Sequence, residues 1–318
     1  MRGQLALHAA SAPRVSPSQK VPVFLNAKAG GSDAHEKAAK VREAFRQNGV
    51  DADIRLLHPG EDPGAMAREA LKARPRVLVA GGGDGTISTF ADALRGTDTA
   101  LGVLPLGTLN HFAKDLGIPL DVGEAVRVIA AGRRASVDVG EVNGRGFINN
   151  ASLGLYPKLV AEREKQRRRF GHSKRTAMVW AALAVLRRPP RLALRLEAES
   201  GALVTRAPFV FVGNNDYDME GFRIGTRARL DAGMLDVYTA RRTTAAGLVG
   251  LALRALFGRL RQADDFLESD VRTLRVESRH RRLQVAVDGE LLVLETPLEF
   301  TLRPRALQVM VPLRVIVP

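Results

Sequence analysis

The chain of 318 residues contains no cysteine. That excludes disulfides, a thiol nucleophile and any zinc site built on thiolates. Histidine is scarce as well: the six present are scattered without ligand spacing, which argues against a His-based metal centre. Aromatic residues make up 5% of the chain, too few to interleave a basic groove with the stacking platforms that bind single strands. No zinc-finger or RRM-like signature occurs, so no nucleic-acid partner is expected. No apolar run reaches the ~18–20 residues of a membrane span. Residues 1–20 carry scattered basic, Ser and Pro residues without a continuous apolar segment. They read as a disordered tail rather than a signal peptide, and the cytoplasm is the expected compartment. No Gly-x-x-x-x-Gly-Lys-Ser/Thr run is present, so any phosphate handling must use another loop.

What is there starts with charge. Lys and Arg number 48 against 34 Asp and Glu, a net charge of +14. An excess of this size favours an anionic partner such as a nucleotide phosphate or an acidic membrane surface, although an Arg-rich coding bias gives the same balance. The apolar fraction of 45% and charged fraction of 26% are those of a globular protein of one large or two ordinary domains.

The organising stretch is Val77-Leu-Val-Ala-Gly81-Gly82-Gly83-Asp84-Gly85-Thr86. A buried strand over Val77 to Ala80 breaks into glycines, and helical spacing resumes from Ile87 to Leu94. A strand that restarts as a helix leaves backbone N–H groups facing a gap, a geometry that holds phosphate. Asp84 is the anomaly. A carboxylate beside phosphate is repulsive unless a cation or donor lies between them, so the stretch points to a metal–nucleotide site. Two more polar loops follow short apolar strands: Asn26-Ala-Lys28-Ala-Gly30-Gly31-Ser32 after Val21 to Leu25, and Pro105-Leu-Gly107-Thr108-Leu-Asn110 after Ala100 to Leu104. A second strand covers Asp53 to Leu57, with helices at Asp33 to Asn48 and Pro63 to Ala73. This β-α order implies a parallel sheet with its three loops at one edge, where ligands bind. Around Ala135 the rhythm changes to short alternating strands: 136–140, 145–150, 191–198, 203–212, 235–240, 273–277, 283–287 and 298–302. Helical insertions lie at about 158–188 and 243–261. The expected organisation is a tail (1–20), an α/β domain (21–134, with a return of 305–318) and a mainly antiparallel β-rich domain (135–304).

Taken in order, these motifs resemble the diacylglycerol kinase catalytic domain family, which includes bacterial lipid kinases and the sphingosine and ceramide kinases. Beyond the three loops, Phe147-Ile-Asn-Asn-Ala-Ser-Leu-Gly154, Val212-Gly-Asn214-Asn215, Leu230-Asp-Ala-Gly233-Met-Leu-Asp-Val237 and Val287-Asp288-Gly289-Glu290 each match a family segment. The Gly-Gly-Asp-Gly-Thr core alone is shared with NAD kinases and related to phosphofructokinase sites. The resemblance implies an α/β nucleotide domain with a β-rich lid, ATP in the cleft, and transfer of the γ-phosphoryl group to a lipid alcohol. It assigns the phosphate cradle to Gly82, Gly83, Asp84, Gly85, Thr86, Ile87 and Ser88, with Thr108 and Asn110 near it and Asn26 and Lys28 approaching from the first loop. Asp84 would orient Mg²⁺. Glu290 is the expected proton acceptor with Asp288 beside it, although Asp-Gly alone also reads as a hairpin turn. The family's structural Mg²⁺ position falls at Ala232 here, with Asp231 one residue earlier, which puts that metal site in doubt.

Seven Lys or Arg stand between Arg163 and Arg175, and Thr176 to Leu186 is apolar with a single Trp180. A basic collar on an apolar helix suits peripheral contact with an anionic inner membrane face, and equally a helix lining an acyl pocket. Two rival readings remain: an NAD-kinase-like phosphotransferase acting on a soluble substrate, and a non-enzymatic basic nucleotide- or nucleic-acid-binding module. The sequence leaves monomer and homodimer open.

Overall fold

The computed structural model describes residues 20–27, 34–170, 180–181, 184–185, 187, 192–199, 201–218, 226–227, 229–240, 244–256 and 266–313. The chain divides into two compact units. Unit 1 takes residues 1–139, 228–232 and 303–318; unit 2 takes 140–227 and 233–302.

Unit 1 is α/β. Its elements run β1 (Val21–Asn26), α1 (Ala34–Gln47), β2 (Ala52–Leu57), α2 (Pro63–Leu71), β3 (Val77–Gly82), α3 (Asp84–Leu94), β4 (Ala100–Pro105), α4 (His111–Asp115), α5 (Val122–Ala131) and the first part of β5 (Arg133–Val142). The strands β2-β1-β3-β4 are hydrogen-bonded in that order and parallel. Every residue of β3 and β4 is buried, as expected for parallel strands covered on both faces. Phe24 packs on Phe90 with ring centroids 5.2 Å apart, and Val41 and Phe45 of α1 are fully buried. Each such side chain contributes roughly 1.5–3 kcal/mol of burial.

Unit 2 is antiparallel. It contains β6 (Arg145–Phe147), β7 (Asn150–Gly154), α6 (Leu155–Phe170), β8 (Leu192–Ala198), β9 (Gly201–Ala207), β10 (Phe209–Asn214), β11 (Tyr217–Asp218), β12 (Thr226–Arg227), β13 (Leu235–Ala240), α7 (Ala245–Leu256), β14 (Phe266–Val271), β15 (Thr273–Ser278), β16 (Arg282–Val287), β17 (Glu290–Glu295) and the start of β18 (Leu298–Val311). One sheet orders β14-β13-β10-β7-β16-β17; the other brings β18, β15, β8 and β9 together. The core takes Leu153, Val210, Val212, Val237 and Val285 from the first, and Leu194, Leu196, Val276 and Phe300 from the second. At its far end β18 enters unit 1, where Val309 pairs in parallel with Leu101.

The expected fold class holds: a parallel α/β part followed by an antiparallel β-rich part. Several boundaries moved. The single strand expected over 203–212 is two, belonging to different sheets, because Pro208 lacks the N–H that would continue the ladder. The strand expected over 145–150 breaks after Phe147: 148–149 bend, and Asn150 opens the next strand, β7. Helix α3 begins three residues earlier than its apolar spacing indicates, at Asp84. Lys28, Gly30, Gly31, residues 1–19 and most of 171–191 lie outside the described residues.

Candidate active site

In unit 1 the ends of β1, β3 and β4 share one sheet edge. Leu25 is in register with Gly81, and Gly82 with Pro105. Leu106 N–H donates to Gly82 O at 3.1 Å. The glycines here serve close approach rather than unusual dihedrals, since none of Gly81, Gly82, Gly83, Gly85 or Gly107 has positive φ. A Cβ on Gly107 would lie 2.4 Å from Gly83 Cα, and one on Gly82 would lie 2.7 Å from Thr86. Backbone therefore touches backbone between the two loops. Gly85 differs: it is exposed, and a Cβ there meets nothing within 4 Å.

Helix α3 opens at this edge with Gly83 as N-cap and no side-chain cap. The first amide to bond within the helix is that of Ile87, to Gly83 O at 3.1 Å. The amides of Asp84, Gly85 and Thr86 thus have no intrahelical acceptor and point out of the helix end. With the helix dipole they give this end the chemistry to accept an anion. Ile87 and Ser88 are buried, so the open part of the cradle is 84–86.

The flanking polar residues divide into two kinds. Asn26 Nδ2 donates to Thr86 Oγ1 at 2.9 Å and fixes that hydroxyl at the cradle. Asn110 is buried in the left-handed region with φ 52°, its Oδ1 accepting from Gly107 N at 3.0 Å and its Nδ2 donating to Gly107 O at 2.9 Å. Both ends of that amide close its own loop, so Asn110 shapes the site. Thr108 beside it is exposed. Asp84 is half-buried, and its Oδ1 accepts a long 3.4 Å hydrogen bond from Phe112 N, joining the starts of α3 and α4. Asp231, also in unit 1, is paired with Arg229 at 3.2 Å.

In unit 2, Val287 and Glu290 pair across a two-residue turn with φ 46° at Asp288 and 84° at Gly289. Two positive φ values match a type I′ hairpin, the turn Asp-Gly favours. The two carboxylates then part. Asp288 accepts from the amides of Ile148, Asn149 and Asn150 at 2.8, 2.8 and 2.9 Å, and its own N–H donates to Asn150 O at 2.8 Å. It clamps the 148–150 turn. Glu290 is exposed and accepts from Arg145 Nη2 at 3.0 Å. From the other side the same turn is held by buried Arg227, which donates to Ile148 O and to Asn149 Oδ1 (3.0 Å) and sits 5.2 Å over the Tyr217 ring. Asn214 Nδ2 adds a 3.1 Å bond to Ile148 O. Arg145 and Arg227 were invisible in the sequence, where nothing distinguishes them from the other arginines.

Two further features belong to unit 2. Asp236 is fully buried beside the Tyr238 hydroxyl, accepts from Tyr217 N at 3.1 Å, and leaves Oδ1 without a partner. Burial pushes its carboxyl up to about 7; the Tyr238 and Tyr217 hydrogen bonds oppose this, and nearby Asp270 and Glu268 add to it. An apolar cavity of about 290 Å³ opens among Leu196, Leu203, Val237, Leu267 and Leu274.

Residues 20–142 match the family described as the diacylglycerol kinase catalytic domain, and residues 157–311 match the YegS C-terminal NAD kinase beta sandwich-like domain. A curated protein of Pseudomonas syringae pv. tomato, named "Probable lipid kinase YegS-like", is 33% identical over 285 residues, 86% of this chain and 88% of its own. The chain belongs to the YegS-like branch of the diacylglycerol kinase catalytic domain family. A relative of the same name from Pseudomonas aeruginosa is 34% identical over 303 residues, 92% of this chain and 94% of its own. The fold agrees with the crystal structure of a diacylglycerol kinase from Bacillus anthracis str. Sterne, with TM-score 0.68 and 20% identity over 92% of this chain and 96% of that one. The catalytic-domain match holds Asn26, the 82–88 cradle, Thr108 and Asn110; the second match holds Asp231, Asp288 and Glu290. The family expected from the motifs is thus the family found.

Proposed function

We propose that this chain is an ATP-dependent lipid kinase acting on a lipid hydroxyl of the diacylglycerol or sphingoid type. The observation that carries the reading is the uncapped start of α3 at an edge where two loops meet backbone to backbone, in a chain whose relatives are named lipid kinases. Phosphoryl transfer depends on positioning and charge neutralisation. The amides of Asp84, Gly85 and Thr86 hold phosphate oxygens, with the Thr86 hydroxyl set by Asn26. Lys28 and Thr108 assist from the neighbouring loops.

Mg²⁺ binds through one or two carboxylates plus phosphates, and when bound it neutralises charge on the transferred group. Asp84, beside the cradle with one oxygen only weakly engaged, fits that role; Asp231, paired with Arg229, does not. Glu290 takes the proton of the attacking hydroxyl: the new O–P bond forms to the γ-phosphorus as its bond to the ADP oxygen breaks. Asp288 positions the turn that carries Glu290. The 290 Å³ apolar cavity receives hydrocarbon of the substrate.

In this reading residues 21–134 with 305–318 form the ATP-binding part and 135–304 the substrate part. The protein works in the cytoplasm, in peripheral contact with the inner membrane face. Exposed Trp180 and Tyr156 support that contact; among the described residues no helix is long and apolar enough to cross a membrane. The test is phosphate transfer from γ-labelled ATP to a panel of lipid alcohols, with NAD as the soluble control. Labelling of NAD and no lipid would overturn the proposal.

A further inference from the structure

The outer face of β15, β8 and β9 in unit 2 carries a polar groove of about 580 Å³; the same strands contribute to the apolar cavity, but the two share no lining residue. Strand alternation turns Leu194 and Leu196 into the core and leaves Ala193 and Arg195 exposed. Arg206 on β9 stands opposite Ala193. On the other flank Ser278 is in register with Leu194, so Arg279, the next residue, comes level with Ala193. A methyl group therefore floors the groove between two arginines, and Arg195 lies two residues further along the same face.

The acidic residues nearby offset this set only in part: Arg195 is ion-paired, and Glu277 stands among the groove's lining residues. Glu277 accepts from Arg275 Nε at 3.1 Å, and Glu197 is 3.6 Å from Arg195. Among the described residues Arg206 and Arg279 have no ion-pair partner. Like charges on adjacent strands repel, so Arg206 and Arg279, level with each other across a small floor, favour an anion seated between them. Bidentate guanidinium groups suit phosphate. No aromatic side chain lines the groove, which removes the stacking surface that single-stranded nucleic acid uses. In sequence, β8 follows directly on Arg187-Arg188-Pro-Pro-Arg191, and the exposed Trp180 lies just upstream.

We propose that Arg195, Arg206 and Arg279 dock the phosphate headgroups of an acidic bilayer, as a second membrane contact besides the segment containing Trp180. The choice of a bilayer rests on the lipid-kinase reading; the anion chemistry does not. A basic residue near an anionic surface contributes about five-fold in binding.

The experiment is vesicle co-sedimentation of the full chain with phosphatidylglycerol–phosphatidylcholine vesicles against pure phosphatidylcholine. The R195Q/R206Q/R279Q variant should bind the acidic vesicles about a hundredfold more weakly, and R206Q/R279Q about 25-fold. Both should keep the wild-type melting temperature and turnover of a short-chain diacylglycerol in neutral detergent. Undiminished vesicle binding would overturn the proposal. So would an equal loss in the charge-matched R42Q/K72Q/R74Q variant, or tighter wild-type binding to poly(U) RNA than to vesicles at the same salt. A chain that phosphorylates no lipid yet shows the vesicle contrast overturns the kinase reading and upholds the groove.

Discussion

Substituting Gly85 by alanine separates the ligand from the fold. Gly85 is the second residue of α3, with ordinary φ and open space where a Cβ would stand. Nothing in the protein resists the methyl group. Alanine is a better helix former than glycine by up to about 1 kcal/mol, less in the first turn. The variant should melt at the wild-type temperature or roughly 1–3 °C higher. Its methyl group, however, enters the space before the 84–86 amides, where a phosphate oxygen must come within about 3 Å of nitrogen. Losing two hydrogen bonds to a charged group, at roughly 1.5–3 kcal/mol each, predicts a loss on the order of 10²–10⁴-fold in ATP affinity or kcat/KM. The assay pairs a thermal melt with titration of a non-hydrolysable ATP analogue. Wild-type affinity in a stable variant would refute phosphate binding at α3. A lowered melting temperature would refute the open space. Gly107→Ala is the counterpart: its Cβ collides with Gly83, so it should lose both stability and nucleotide binding.

The carboxylates of the hairpin should part in the same way. Asp288→Ala leaves three amides without their acceptor and should cost about 3–5 kcal/mol, a fall of about 10 °C in Tm. Glu290→Gln disturbs only an exposed ion pair, so Tm should stay within about 2 °C while turnover drops about 10²–10⁴-fold at unchanged KM for ATP; the reverse pattern would exchange their roles. Asp84→Asn keeps an acceptor for Phe112 but removes the charge, so turnover should fall with little change in Tm; retained turnover would remove Asp84 from the metal role. Asp236 holds its proton up to about pH 7 in the folded state but only to about pH 3.9 unfolded. The folded state therefore binds more protons between these values. Stability from this group is full below about pH 4, declines as pH rises, and is flat above about 7, spanning on the order of 4 kcal/mol at most. Asp236→Asn should remove that slope, read as the difference between wild-type and variant Tm from pH 4.5 to 7.5. An identical slope in both would show that Asp236, facing Tyr217, Tyr238, Glu268 and Asp270, does not carry it.

Much of the site is local in origin and was legible for that reason. The strands Val21–Asn26, Val77–Gly82 and Ala100–Pro105 are short apolar runs that end in polar glycine loops, and parallel order places such loops at one edge. What was not legible depends on partners far away in sequence. The start of α3 was misplaced because apolar periodicity begins at Ile87, whereas a helix end is set by its cap, here a glycine. Asn110 reads as a ligand in the sequence, which does not show that its side chain satisfies the backbone of its own loop. Arg227 and Arg145 gave no signal because their acceptors lie 78 and 145 residues away.

By itself the sequence determined the class of chemistry: a strand giving way to small residues and a helix exposes amides to an anion whatever surrounds it, and the arrangement of its loops marks the family. Only the tertiary structure decided what each residue is for. Glycine is required at 107 because another backbone stands 2.4 Å from its absent Cβ, whereas at 85 the fold leaves open space. Of two carboxylates flanking Gly289, Asp288 is consumed by three amides of a distant turn and Glu290 stays at the surface with an arginine. Side-chain type fixes which bonds a residue is able to make, but the competition between solvent, backbone and ligand for those bonds is settled by what the fold brings within 3 Å.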